Sequence, residues 1–261
     1  MRLLFIGDIV GKPGTSAIKE ILPVLVSEYN VEFIIANAEN AANGLGLTRK
    51  VALDLFDSAI DILTSGNHIW DKRNIVSFIK KEPRLLRPAN FPDGVPGKGS
   101  IVVKTASGEK IGILNLSGRV FMGALDCPFQ TAMREIDQLK LETDIIIVDI
   151  HAEATSEKIA MGWMLDGKVS AVLGTHTHVQ TADEKILPGG TAYISDIGMT
   201  GSFDSVIGMK KEISIERFLT QMPVDFKVAE KDICLSGVYL EIDSMSGKAI
   251  YIKRIQKKPN T

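Results

Sequence analysis

The sequence predicts an α/β protein in which two β-sheets are each covered by a layer of helices. Short β-rich runs alternate with amphipathic stretches in the N-terminal half, a pattern typical of βαβ units and a mostly parallel, buried sheet. Later runs are joined by glycine-containing turns, which favour antiparallel pairing. No internal repeat or linker divides the 261 residues, so a single domain over 1–261 is expected.

The N-terminal half predicts three strands and three helices. An apolar run over Arg2–Ile6 predicts the first strand, and the Gly/Pro-rich residues 11–14 predict a loop after it. Apolar residues at helical spacing predict a helix over Ser16–Tyr29, which Pro23 is expected to kink or end early. The next elements are a strand over Glu32–Ala36, a helix over Val51–Ala59, a strand over Ile60–Leu63 and a helix to about Lys80, with Asp71 as its expected N-cap.

The second half predicts mainly strands. Two of its segments, Ser117–Phe129 and Thr200–Met209, contain glycine and are expected to be loops. Strands are expected over Leu85–Leu86, Ser100–Thr105, Lys110–Leu116, Asp144–Ile150, Ser170–Leu173, Tyr193–Ser195, Leu235–Ile242 and Ala249–Ile255, and helices over Glu153–Leu165 and Ile213–Leu219.

Composition excludes several classes of protein. Lys plus Arg is 30 and Asp plus Glu is 32, and this balance argues against a polybasic nucleic-acid-binding surface. The apolar runs are too short to span a bilayer, and Asp8 interrupts the first of them where a signal peptide would continue. Cys127 and Cys234 lie outside any CxxC spacing. A cytoplasmic protein without a membrane partner is therefore expected.

Polar side chains follow the predicted buried strands, and they include all four histidines of the chain. They are Asp8, Asn37, Glu39, Asn40, Asn67, His68, His151, His176 and His178. The carboxyl ends of parallel strands meet at one edge of a sheet, where ligand sites form. Carboxylate, carboxamide and imidazole ligands without thiolate suit Fe, Mn or Zn, and the two oxygens of Glu39 could bridge two cations. A single histidine is more often structural, but this coincidence predicts a metal site.

Five phrases resemble those of the calcineurin-like metallophosphoesterases, and the first four of them resemble specifically those of the YmdB-like branch. They are GDIVG at 7–11, NAENA at 37–41, GNHIWD at 66–71, DIHAE at 149–153 and GTHTH at 174–178. The likeness runs from Met1 to about Gly201 and continues toward the end. It implies a four-layer αββα sandwich with mixed sheets.

The resemblance also implies a dinuclear metal site, with iron as the expected metal and manganese as the alternative. It assigns Asp8, Glu39, Asn40 and His178 to one cation and Glu39, Asn67, His151 and His176 to the other, with Glu39 as the bridge and His68 as general acid. Two residues depart from the wider superfamily. Val10 stands where a ligating histidine is usual, with Asn40 expected to supply the contact. Ile69 stands where an acid is usual, which leaves Asp71 as a candidate to orient His68, secondary to its expected role as an N-cap.

The activity implied by the resemblance is hydrolysis of 2′,3′-cyclic nucleotides to 3′-nucleotides. Two alternatives stay open: a phosphomonoesterase or nucleotidase that uses the same metals, and a regulatory protein that binds nucleotide or RNA and turns over slowly. RNA ends are a further expected ligand, and a homo-oligomer is expected. Phe121 or Phe203 could stack on a base, although packing against the core is an equal expectation for both.

Overall fold

Two β-sheets lie face to face in this computed structural model, which describes residues 1–259. Asn260 and Thr261, the end of the predicted 1–261 domain, lie outside the described residues. The strands are β1 Arg2–Ile6, β2 Asp8–Ile9, β3 Phe33–Asn37, β4 Ile62–Thr64, β5 Ser100–Lys104, β6 Lys110–Ser117, β7 Ile146–His151, β8 Ala171–Thr175, β9 Lys185–Ile186, β10 Ala192–Ile194, β11 Met199–Ser202, β12 Ile233–Ile242 and β13 Ala249–Lys257. The helices are α1 Gly11–Tyr29, α2 Arg49–Phe56, α3 Ile75–Ile79, α4 Pro128–Leu139, α5 Thr155–Leu165 and α6 Lys211–Thr220.

Both sheets are mixed, with a parallel centre. The first sheet runs β2-β11-β12-β1-β3-β4, with β13 paired to β12, and β1, β3 and β4 are parallel. The second sheet runs β5-β6-β7-β8-β10-β9, and β6, β7, β8 and β10 are parallel. Parallel strands point their carboxyl ends the same way, so each sheet presents several strand ends at one edge.

Three apolar layers hold the sheets and helices together. The middle layer packs Phe5 and Ile35 of the first sheet against Ile147 of the second. One outer layer packs α1 and α2 on the first sheet, and the other packs α4 and α5 on the second. Burial of these aliphatic side chains stabilises the stack by roughly 25 cal/mol per Å² of apolar surface removed from water. The predicted αββα sandwich with mixed sheets is confirmed.

Helix α1 differs from the prediction at its start and at its proline. It begins at Gly11, so the loop predicted over residues 11–14 is wrong. Pro13 fits the first helical turn, whose N–H groups have no acceptor within the helix. Pro23 does not end the helix, which continues to Tyr29; Asn30 then caps it in the left-handed conformation.

Further predictions are wrong: the loop expected over Thr200–Met209 begins within β11, and the strand expected over Leu85–Leu86 forms only isolated bridges. Residues 128–139, the first two of which fell within a predicted loop, form α4 against the outer face of the second sheet. The helix expected from Asp71 begins at Ile75, with Asn74 at its N-cap, so Asp71 does not cap it. Among the helices of residues 1–259, none is long and apolar enough to cross a membrane.

Candidate metal centre

The predicted site residues lie together where strand ends of the two sheets meet. Asp8, Glu39, Asn40, Asn67 and His68 follow or lie in strands of the first sheet, and His151, His176 and His178 end or follow strands of the second. The sequence pattern suggested one sheet edge, whereas the structure builds the cluster from the edges of both stacked sheets.

Glu39 lies at the centre of this cluster and is buried. Its Oε1 is 3.0 Å from His151 Nε2 and accepts a 3.2 Å hydrogen bond from Asn40 Nδ2. Its Oε2 accepts a 3.2 Å hydrogen bond from the backbone N–H of His68. One carboxylate therefore touches both halves of the predicted ligand set.

The first half of the set gathers around His151. Its Nε2 lies 3.2 Å from Asn67 Oδ1 and 3.0 Å from His176 Nδ1. One ligand atom from each of Glu39, His151 and His176 lies within 4.8 Å of the others. These atoms are close enough for one cation to bind all three.

The second half gathers around His178. Its Nε2 lies 3.2 Å from Asn40 Nδ2 and 3.9 Å from Asp8 Oδ1. Its Nδ1 lies 2.9 Å from the carbonyl oxygen of Ile207 and must donate to it, which leaves the Nε2 lone pair directed into the cluster.

A buried network behind His151 fixes the direction of its ring. His151 Nδ1 lies 2.9 Å from Thr175 Oγ1, and that hydroxyl donates a 2.7 Å hydrogen bond to Asp149. Asp149 also accepts from Thr64 at 2.6 Å and Asn37 at 3.1 Å. Sequence reasoning did not assign roles to Asp149 and Thr175, although an acid two residues before His151 in a strand lies on the same face as His151.

The pKa values of these groups are strongly perturbed because the groups are buried together. Burial raises the pKa of Asp8 to about 6, against the opposing charges of His178 and His151. Burial also raises the pKa of Glu39, but His151 outweighs it and holds that pKa at about 2. Burial lowers the pKa of His151, but the negative charges around it, chiefly that of Glu39, outweigh burial and raise this pKa to about 9. Burial and the charge of His151 lower the pKa of His176 to about 3.

The donor set fits a metal cation. Asp8 Oδ1 is buried and has no hydrogen-bond partner within residues 1–259, so one oxygen of this carboxylate faces the cluster without a hydrogen bond. A Cβ at residue 66 would lie 2.3 Å from Glu39 Oε2 and 2.3 Å from His151 Nε2, so Gly66 is required for these side chains to approach. Oxygen and imidazole donors with an unmatched negative charge are what a borderline divalent ion binds.

His68 lies beside the cluster with a different set of contacts. Its Nδ1 lies 2.8 Å from Asp71 Oδ2, and its side chain is one-third exposed. Asp71 therefore orients the ring, contrary to its expected role as an N-cap. With Nδ1 occupied by the carboxylate, Nε2 is the nitrogen left to exchange a proton with a ligand.

Comparison with known proteins shows the family of this chain. The model of the family described as YmdB-like protein matches residues 4–255. The chain belongs to the YmdB-like family. It is 53% identical over 255 residues to the 2′,3′-cyclic-nucleotide 2′-phosphodiesterase of Bacillus subtilis (strain 168), covering 98% of this chain and 96% of that protein.

Two solved structures share the fold of this YmdB-like chain. A hypothetical protein from Thermus thermophilus has a TM-score of 0.93 and 39% identity, with both chains covered in full. A protein described as a novel phosphatase from Mycoplasma pneumoniae has a TM-score of 0.92 and 37% identity, covering 98% of this chain and 93% of the other. Both of these proteins therefore share the sandwich architecture of this chain.

The loop carrying His176 and His178 is held by an ion pair that the sequence analysis missed. Both histidines adopt left-handed backbone conformations, with φ of 96° and 66°, and such conformations persist only where surrounding contacts hold them. Asp196 accepts hydrogen bonds from the N–H and hydroxyl of Thr177 between them, at 3.0 and 2.6 Å. Lys158, also buried, binds Asp196 at 2.8 Å. In this YmdB-like chain the pair therefore holds the backbone of the loop between the two histidines.

The two aromatic residues expected near a base differ in their surroundings. Phe121 is 89% exposed and has a positive φ of 61°. Phe203 is half-buried, and its backbone N–H donates a hydrogen bond to the carbonyl of Asp232. The loop of Phe121 is held by Glu157, which accepts hydrogen bonds from the N–H groups of Arg119 and Val120.

Proposed function

We propose that this chain hydrolyses 2′,3′-cyclic nucleotides to 3′-nucleotides at a dinuclear metal centre, with His68 as general acid. The observation that carries the proposal is the juxtaposition of the carboxylate, carboxamide and imidazole cluster with a histidine that Asp71 holds at one nitrogen. The 53% identity to a protein named as a 2′,3′-cyclic-nucleotide 2′-phosphodiesterase supports the choice of substrate.

Two sets of residues would hold the cations, with iron the first choice and manganese the second. The sets are Asp8, Glu39, Asn40 and His178, and Glu39, Asn67, His151 and His176. The contacts of 3.0–3.2 Å in the set around His151 and of 3.2–3.9 Å in the set around His178 support this division. Val10 forms a parallel bridge with Asn40, which supports Asn40 as the replacement for a histidine ligand at that position.

Bound cations would offset phosphate charge and lower the pKa of a water molecule. The residues of the chain then supply position and protons. Hydrolysis forms a bond from phosphorus to the water oxygen and breaks the bond from phosphorus to O2′. The departing O2′ needs a proton, which His68 donates from Nε2. Asp71 at Nδ1 keeps the ring aligned so that Nε2 faces the departing oxygen.

The phosphatase description of the Mycoplasma pneumoniae structure favours a second candidate, a phosphomonoesterase that uses the same site. The two activities differ in their products. A cyclic phosphodiesterase converts 2′,3′-cAMP to 3′-AMP and stops, whereas a monoesterase converts 3′-AMP to adenosine.

Product analysis with 2′,3′-cAMP and 3′-AMP as separate substrates tests the proposal. We expect accumulation of 3′-AMP from the first and little adenosine from the second. Adenosine from 3′-AMP without turnover of 2′,3′-cAMP would replace the proposal by the monoesterase. A His68→Gln variant as active as the wild type would favour the regulatory alternative, in which turnover is incidental.

A further inference from the structure

An apolar groove of about 510 Å³ lies beside the candidate metal centre. Its lining begins at Asn43, three residues after Asn40, and includes Ile207, whose carbonyl accepts the hydrogen bond from His178 Nδ1 at 2.9 Å. The wall of the groove is thus the segment against which one predicted ligand rests. The volume falls within the range of small-molecule sites in proteins, about 300–1,000 Å³.

The groove combines aromatic walls with one unmet hydrogen-bond donor. Phe218 and Phe226 line it and are 74% and 54% exposed, respectively. Arg217 lies on the same lining, and its Nη1 is buried without a hydrogen-bond partner anywhere in residues 1–259. Leaving such a charged donor unpaired is costly, so the site lacks one acceptor. A flat aromatic ligand with acceptor atoms on its edge would meet both features.

We propose that this groove binds the nucleobase of the substrate, an inference that rests on the proposed function. A base offers a π-face to Phe218 and Phe226 and ring-edge acceptors to Arg217. In a 2′,3′-cyclic nucleotide the phosphate and the base are attached to the same ribose. When the phosphate lies at the metal centre, the base reaches the adjoining wall formed by Ile207. The groove therefore confers selectivity for nucleotides over other cyclic diesters.

The test compares 2′,3′-cAMP with ethylene phosphate, which has the same five-membered cyclic diester but no nucleoside. The variants are Arg217→Met and Phe218→Ala, with Ile215→Ala as the matched control, because Ile215 is exposed on the same helix but does not line the groove. We expect each groove variant to lose roughly 10-fold or more in kcat/KM for 2′,3′-cAMP. The groove variants should hydrolyse ethylene phosphate at the rate of the wild type. The Ile215→Ala control should match the wild type on both substrates. Equal losses on both substrates, or no loss on either, would overturn the proposal.

Calorimetric binding of adenosine separates failure of this inference from failure of the proposed function. If the wild type hydrolyses neither diester but binds adenosine, and Arg217→Met weakens that binding, the groove stands and the proposed activity falls. If adenosine does not bind, the groove proposal is overturned whatever the activity. Light scattering tests whether a second copy of the chain, instead of a base, occupies the groove. A groove variant that changes the mass in solution while its kinetics on 2′,3′-cAMP stay normal would also overturn the proposal.

Discussion

The two sheets contribute different chemistry to the cluster. The first sheet supplies the proposed oxygen ligands, from Asp8, Glu39, Asn40 and Asn67, and the second supplies the three proposed imidazole ligands. In each of these three histidines, the ring nitrogen that points away from the cluster contacts another group of the protein. That group is Thr175 for His151, Glu153 for His176 and the carbonyl of Ile207 for His178. On the first sheet, by contrast, Asp8 Oδ1 has no hydrogen-bond partner within the described chain.

The two sheets therefore differ in what they contribute: oriented histidines on the second and negative charge on the first. The histidines are aimed in advance by contacts with the protein, which is how ligands are tuned in metal sites. Burial raises the pKa of Asp8 to about 6 although His178 and His151 favour its charged form, so the charge of this acid is only partly offset. In the proposed centre, the second sheet therefore sets the geometry and the first sheet supplies the negative charge that attracts cations. Substitutions in the two sheets should therefore affect metal binding and turnover in different ways.

The largest effect is expected from Glu39→Gln on the first sheet. The substitution removes charge from both proposed cation positions while preserving the size of the side chain. Turnover of 2′,3′-cAMP should fall beyond the roughly 10²–10⁴-fold worth of a general acid alone, and metal content should fall with it. Exposed Glu20→Gln is the matched control and should retain both. A Glu39→Gln protein with full metal content and turnover would place the bridge elsewhere.

The next largest effect is expected from His68→Gln, with an opposite outcome for metal. Because His68 binds Asp71 and is assigned to neither cation, the variant should keep its metals and its stability. Its rate on 2′,3′-cAMP should fall by roughly 10²–10⁴-fold. The loss should be smaller for an activated aryl phosphodiester, whose leaving group needs little protonation. Equal slowing of both substrates, or loss of metal, would rule out the acid role.

A smaller effect is expected from Asp149→Asn, behind the second sheet. The substitution weakens the Thr175 contact that orients His151 but removes no ligand. Metal affinity should fall by roughly 10–100-fold, the usual cost of losing an outer-shell partner. Excess metal should then restore most of the activity. Exposed Asp137→Asn is the control. If excess metal fails to rescue a folded Asp149→Asn protein, orientation is not the role of this network.

The smallest effect is expected from Glu153→Gln. Glu153 lies 3.0 Å from His176 Nε2, but its side chain is 49% exposed, so water screens the interaction. Metal affinity should change by no more than about 5-fold, because exposed pairs contribute about 1 kcal/mol at most. A loss as large as that of Asp149→Asn, measured in the same metal titration, would show that burial of the supporting partner does not matter.

The sequence predicted the cluster better than the groups that support it. Residues such as His151 and Asn67 could be found because each follows a buried strand and strand ends converge. The pairing of Lys158 with Asp196 could not be found, because the two residues are 38 positions apart and meet only through tertiary packing. Asp71 was misassigned because an acid near a helix start resembles an N-cap. Helix α4 was detectable, since Pro128 at its start and Ile136 and Leu139 on one face fit a helix.

The central claim is that cations held between the two sheets are required for hydrolysis of cyclic nucleotides. The most direct measurement is the rate on 2′,3′-cAMP while iron(II) or manganese(II) is titrated into metal-stripped protein. We predict no turnover in the stripped protein and a rate that reaches its plateau at two equivalents per chain. Full turnover in the stripped protein, or a plateau at one equivalent, would contradict the account.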